Sequence, residues 1–131
     1  MNQFVTHGAS KITPRELEKV VRAIPMLRAR WTTEVDQANY PNLAEQLDFL
    51  ALLVEDFEEG LEKDIPFEAV AEAAFAIVYF HREIDIIPDF IPEIGFADDA
   101  AIVETILNRH EGVYQRYANA KHLDLPPESD S

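Results

Sequence analysis

The chain of 131 residues contains no cysteine, so disulfide staples and thiolate chemistry are both excluded. It has four glycines, and none sits in a phosphate loop, a Rossmann fingerprint or a nucleophile elbow. Its serines, Ser10, Ser129 and Ser131, fall near the ends, poor places for a catalytic nucleophile. The longest uncharged apolar run, "AAFAIVYF" at 73–80, is far short of the roughly 20 residues that cross a bilayer. The opening "MNQFVTHGASKITP" lacks a basic start followed by an apolar run, so no secretory signal is expected. There is no repeat, no heptad array and no alternating valine–isoleucine pattern of a sheet. What is left is an apolar content of 47%, enough for one buried core. The expectation is a water-soluble, cytoplasmic, all-α protein.

Charge of one sign is also scarce. The chain carries 11 basic and 25 acidic side chains, a net charge of −14. Phosphate-rich partners would be repelled, so nucleic acid is not expected and membrane contact is at most peripheral, through Ile86, Phe90 and Phe96. The few cations are not spread evenly. Residues 1–30 hold six basic and two acidic side chains, whereas 31–131 hold five and 23. The basic arm either neutralises the acidic body within one molecule or offers a docking strip, Arg15, Lys19 and Arg22, to an acidic partner.

Residues 1–12 read as a flexible leader, 13–120 as one helical domain and 121–131 as a disordered acidic tail. A helix starts at "TPRELEKVVRAI", with Thr13 as N-cap, Pro14 at the first position and Glu16 closing a capping box. Leu17, Val20, Val21 and Ile24 form its apolar stripe. Pro25 is expected to break or kink it, leaving a shorter second helix before Pro41. Trp31 reads as a packing anchor. The third helix has the seam Leu43, Leu47, Leu50, Val54, Phe57 and Leu61, with Gly60 as a stop. Its acidic last turn should be met by the cations of the first helix. The fourth, "PFEAVAEAAFAIVYFH", is apolar almost all round and alanine-rich, which suits the middle of a bundle. The last is expected from near Asp98 to Tyr117, with His110 on its buried stripe. That histidine reads as a core residue or, less simply, as a ligand. The sum is a single-domain bundle of four to five helices.

Before the last helix comes "IDIIPDFIPEIGFADD", residues 84–99. Seven large apolar side chains are threaded with five carboxylates, two prolines and a glycine. Pro88 and Pro92 bar a regular helix through the middle. The apolar groups Ile84, Ile86, Ile87, Phe90, Ile91, Ile94 and Phe96 should plug one end of the bundle. The aspartates can then cap backbone N–H groups: Asp85 and Asp89 in turns, Asp98 or Asp99 at the last helix, with Gly95 reversing the chain. The alternative is a hard-cation site for Mg²⁺, Mn²⁺ or Ca²⁺ on Asp85, Asp89, Asp98 and Asp99, with Glu93 in reserve and His81 joining for a transition metal. The spacing matches no EF-hand and no di-iron helix pair.

The same residues carry a resemblance. Ile84, Asp85, Ile87, Pro88, Asp89, Phe90, Ile91, Pro92, Gly95, Asp98 and Asp99 match the pattern of the YkvA-like family, a widespread bacterial domain of unknown function that the segment resembles. Arg82-Glu83 departs from the Ser-Pro usual there. The resemblance implies a small helical domain with a core of about 65–107. It implies an accessory role beside other domains and no established catalytic residues. The functional expectation is a non-enzymatic interaction or accessory module without a resident cofactor, meeting a protein partner or a second copy of itself. The alternative is the aspartate cation site, with hydrolysis as its chemistry.

Overall fold

A computed structural model describes residues 1–35, 38–62, 64–86 and 92–126; for 83–86 and 92–95 the backbone alone is described. Six helices make up the described fold: α1 (Asn2–Ala9), α2 (Pro14–Glu34), α3 (Leu43–Glu58), α4 (Phe67–Ile86), α5 (Pro92–Arg109) and α6 (Glu111–Ala120). No strand occurs among the described residues. None of their helices is long and apolar enough to cross a membrane.

The alanine-rich α4 lies at the centre, against α1, α2, α3 and α5. Ala69, Ala73, Ala74 and Ile77 are buried, and such small side chains let neighbouring backbones approach closely. On α3, Leu43, Leu47, Leu50 and Val54 form the buried seam. It ends before Leu61, which is exposed, because Gly60 turns the chain away at φ 79°. The amides of Gly60 and Leu61 bond the carbonyls of Phe57 and Asp56, a Schellman closure that needs the left-handed conformation. Trp31 is fully buried, donates to Asp48 Oδ1 at 2.7 Å and meets Phe80 edge-on. Phe80 in turn stacks on Phe96.

The structure differs from the expectations at the points that follow. The described residues form six helices where four to five were expected. The supposed flexible leader is mostly α1: Val5, Ala9 and Ile12 repeat at helical spacing and are buried. Gly8 brings α1 so close to α4 that a β-carbon there would overlap the Phe75 ring.

Pro25 does not break the second helix. Leu17, Val20, Ile24, Leu27 and Trp31 keep one unbroken buried stripe across it. Pro25 itself faces water, so water can satisfy the carbonyl that its missing N–H leaves.

The last helix starts at Pro92, earlier than expected, and is divided at His110, whose φ of −118° and ψ of 29° leave the helical range. Asp98 and Asp99 therefore sit within α5 and not at its start, and Gly95 is helical. The proline-broken connector shrinks to residues 87–91, which lie outside the described residues, as does the end of the tail from 127. The tail's first residues lie against the body, with Leu125 on the core and Pro126 buried.

Candidate functional site

Of the aspartate set, Asp98 and Asp99 alone have described side chains. Asp98 and Asp99 are helix neighbours, about 100° apart around the axis. Asp98 is exposed and accepts from the Tyr79 hydroxyl at 3.3 Å, whereas Asp99 is buried. His81 is half-buried on α4 and joins neither in a three-ligand cluster. The side chain of Asp85 and all of Asp89 lie outside the described residues, as do Pro88, Phe90, Ile91 and the side chains of Ile84 and Pro92, while Gly95 is described as helical backbone. Phe96 is the one large apolar group of the stretch whose side chain is described, and it is fully buried between Phe80 and Tyr40.

The basic strip is on the outer face of α2. Arg15, Lys19 and Arg22 are exposed, and Lys19 reaches Glu16 at 3.4 Å. These residues do not answer the acidic end of α3. Arg28, further along α2, pairs with Glu55 at 3.1 Å, and Lys121 pairs with Asp56 at 3.1 Å. Lys11, Arg15, Arg22 and Arg82 make no ion pair among the described residues. Next to Glu16 at the start of α2, α1 and α4 enclose a cleft of about 480 Å³. Phe4, Phe75, Val78 and Tyr79 line it, and His7, Lys11, Arg82, Glu16 and Asp98 rim it. The three rings meet edge to face, with Phe4 5.7 Å from Phe75 and 5.9 Å from Tyr79. Phe4 remains 49% exposed.

A second polar constellation lies where α5 turns into α6. Glu72, on the apolar α4, is 1% exposed. Its Oε2 meets Arg109 Nη2 at 3.1 Å, and its Oε1 stands 3.0 Å from His110 Nε2. Arg109 also lies 3.8 Å from Glu68 and donates through Nη1 to the Asn2 carbonyl at 2.8 Å, tying α1 to α5. Tyr114 donates to the Ala69 carbonyl at 2.8 Å. Burial pushes its phenol well above the usual range; the charge of Glu72 adds to this and Arg109 opposes it. A buried carboxylate persists only when paired, and Arg109 supplies that charge. Each of Glu68, Glu72 and His110 can also offer one ligand atom, and these atoms lie within 4.8 Å of one another.

Sequence reasoning placed His110 on the buried side but missed its partners. The signal was available. Glu68 and Glu72 are one helical turn apart, and Glu72 is a lone carboxylate entering an apolar run. What could not be read was which helix would bring a cation to it.

Residues 69–104 match the family described as "Protein of unknown function (DUF1232)". No curated protein and no solved structure matches the chain. The matched segment spans most of α4 and α5. It contains Glu72 and the α4 wall of the cleft, but not α1, the strip on α2, Arg109 or His110.

Proposed function

We propose that this chain is a non-enzymatic interaction module with a YkvA-like core, and that it docks an acidic protein segment across the face formed by α1, α2 and α4. One observation carries this reading. On a chain of net charge −14, four exposed cations make no ion pair among the described residues: Lys11 and Arg82 rim an aromatic-lined cleft, and Arg15 and Arg22 stand on the outer face of α2. Screening limits the rest of the molecule's repulsion, since the Debye length at physiological ionic strength is about 8 Å. A bound segment therefore feels the nearby cations far more than the acidic body behind them. Guanidinium groups pair with carboxylates in two-point geometry, which favours arginine at such a surface. The cleft supplies what charge alone cannot, a pocket for one apolar or aromatic side chain of the partner against Phe4, Phe75 and Tyr79.

The test uses a fluorescein-labelled peptide of aspartates and glutamates with one central phenylalanine, and fluorescence anisotropy. Binding should weaken steadily with added salt. It should fall about tenfold in the double variant Lys11→Glu, Arg82→Glu, where one lost pairing is worth about 1.4 kcal/mol. These side chains are exposed, so an unchanged melting temperature will show that the fold is intact. Absence of binding at low salt, or binding that ignores the charge reversal, rejects the proposal.

A further inference from the structure

The buried constellation at the α5–α6 turn has a role that the docking face does not use. We propose that Glu68, Glu72 and His110 form a binding site for a divalent transition-metal ion such as Zn²⁺ or Mn²⁺.

The argument starts from an unmet valence. Glu72 is almost wholly buried, yet among the described residues its Oε1 makes no hydrogen bond, and His110 Nε2, which it faces at 3.0 Å, makes none either. With the ring proton on Nδ1, Nε2 is an acceptor like the carboxylate oxygen, and the two face each other stably only across a cation; a proton on Nε2 would instead close the contact as a hydrogen bond. Arg109 does not fill that role for Oε1, because its contact is with Oε2. It does hold the carboxylate in orientation, as outer partners do in metal sites. Glu68, 69% exposed, brings the third ligand from one turn earlier on α4.

Geometry and charge agree. Zinc takes nitrogen and oxygen at roughly 2.0–2.2 Å, so tetrahedral ligands stand a little over 3 Å apart. The 3.0 Å contact is close to that, and the 4.8 Å spread needs a modest swing of the exposed Glu68. Two carboxylates and one guanidinium leave a local charge of −1 that a divalent ion overcompensates only slightly. One imidazole among the donors favours zinc, manganese or iron over magnesium and calcium, which prefer all-oxygen sites. A cleft of about 390 Å³ bordered by Thr6, Ser10, Glu68 and Glu72 gives the ion an entry and room for a water as fourth ligand.

The experiment is calorimetric titration of the chelator-stripped chain with Zn²⁺, and separately with Mn²⁺ and Mg²⁺, alongside melting curves. The expected result is one Zn²⁺ per chain, a melting temperature raised by mass action and no response to Mg²⁺. Glu68→Gln alters an exposed side chain and keeps the fold; it should weaken Zn²⁺ binding at least tenfold. His110→Ala should do the same or more. Should His110→Ala fail to fold, Glu68→Gln decides alone. No Zn²⁺ binding, or binding undiminished in Glu68→Gln, overturns the proposal, the second outcome placing the ion on His7, His81 or His122 instead.

Discussion

Two buried carboxylates, Asp56 at the end of α3 and Glu72 in the second turn of α4, solve the same problem differently. Asp56 is closed. Its Oδ2 accepts from the Tyr117 hydroxyl at 2.6 Å and from Lys121 at 3.1 Å, which clamps α6 to α3. Its carboxylate is met by a neutral donor and a half-exposed ammonium, and nothing in that arrangement asks for a ligand. Glu72 is deeper and is met by Arg109 on one oxygen, but by an acceptor-capable ring on the other. The first arrangement is a clasp between helices; the second, on the metal-site proposal above, is a clasp with one open position. Burial of charge alone thus does not mark a site; incomplete satisfaction does.

That contrast can be broken by mutation, and the effects should rank by depth. Glu72→Ala should cost the most, about 3–5 kcal/mol, because it removes the one buried partner of Arg109 and leaves it only the 3.8 Å ion pair with the exposed Glu68. Asp56→Ala should cost less, about 1–3 kcal/mol, since Lys121 can turn to water. Urea unfolding monitored by circular dichroism measures both, and an equal or reversed order would undo the ranking.

Tyr117 sharpens the comparison through pH. Its folded-state pKa is raised by burial, then by the hydrogen bond to Asp56 and by that residue's charge. The folded chain therefore keeps a proton that the unfolded chain loses near pH 10. This contribution is fully present below about pH 10 and is lost as pH rises toward the folded value. Tyr117→Phe should lower stability at neutral pH by about 1 kcal/mol and flatten the alkaline decline. Melting curves between neutral and strongly alkaline pH test it.

The smallest effect concerns how the two helices of the Asp56 clasp end. Gly60 closes α3 in the left-handed region at little cost, whereas His122 closes α6 in the same region at φ 59°. The amides of His122 and Leu123 bond the carbonyls of Asn119 and Ala118, the same closure as at Gly60. His122→Gly should therefore raise stability by about 0.5–1 kcal/mol, measured by thermal unfolding.

Much of the architecture was legible. The seam on α3, the capping of α2 by Thr13, which accepts from the Glu16 amide at 3.1 Å, and the central place of α4 all follow from local pattern. The errors have physical causes. Pro25 was read by its missing N–H, but the apolar stripe of α2 carries on past it and its tertiary packing outweighs the break. Helix α1 hid behind polar residues and the lack of a side-chain cap, although Val5, Ala9 and Ile12 were in register. The candidate sites were less legible because each joins elements far apart in sequence. The cations of the strip could be read from the sequence, but the cleft depends on α1 docking on α4. Glu72 and His110 are 38 positions apart, and only the fold brings them to 3.0 Å. The aspartates of 84–99 drew attention through density in sequence, yet helix geometry turns Asp98 and Asp99 to different sides.

The most direct test is a ¹⁵N nuclear magnetic resonance titration of the histidine ring nitrogens with Zn²⁺. The account predicts that His110 Nε2 has no attached proton in the ion-free chain and shifts on addition of Zn²⁺, while the signals of Tyr117 and Lys121 stay in place. An Nε2 that carries a proton toward Glu72 and ignores the ion would contradict it: Glu72 would then be as closed as Asp56.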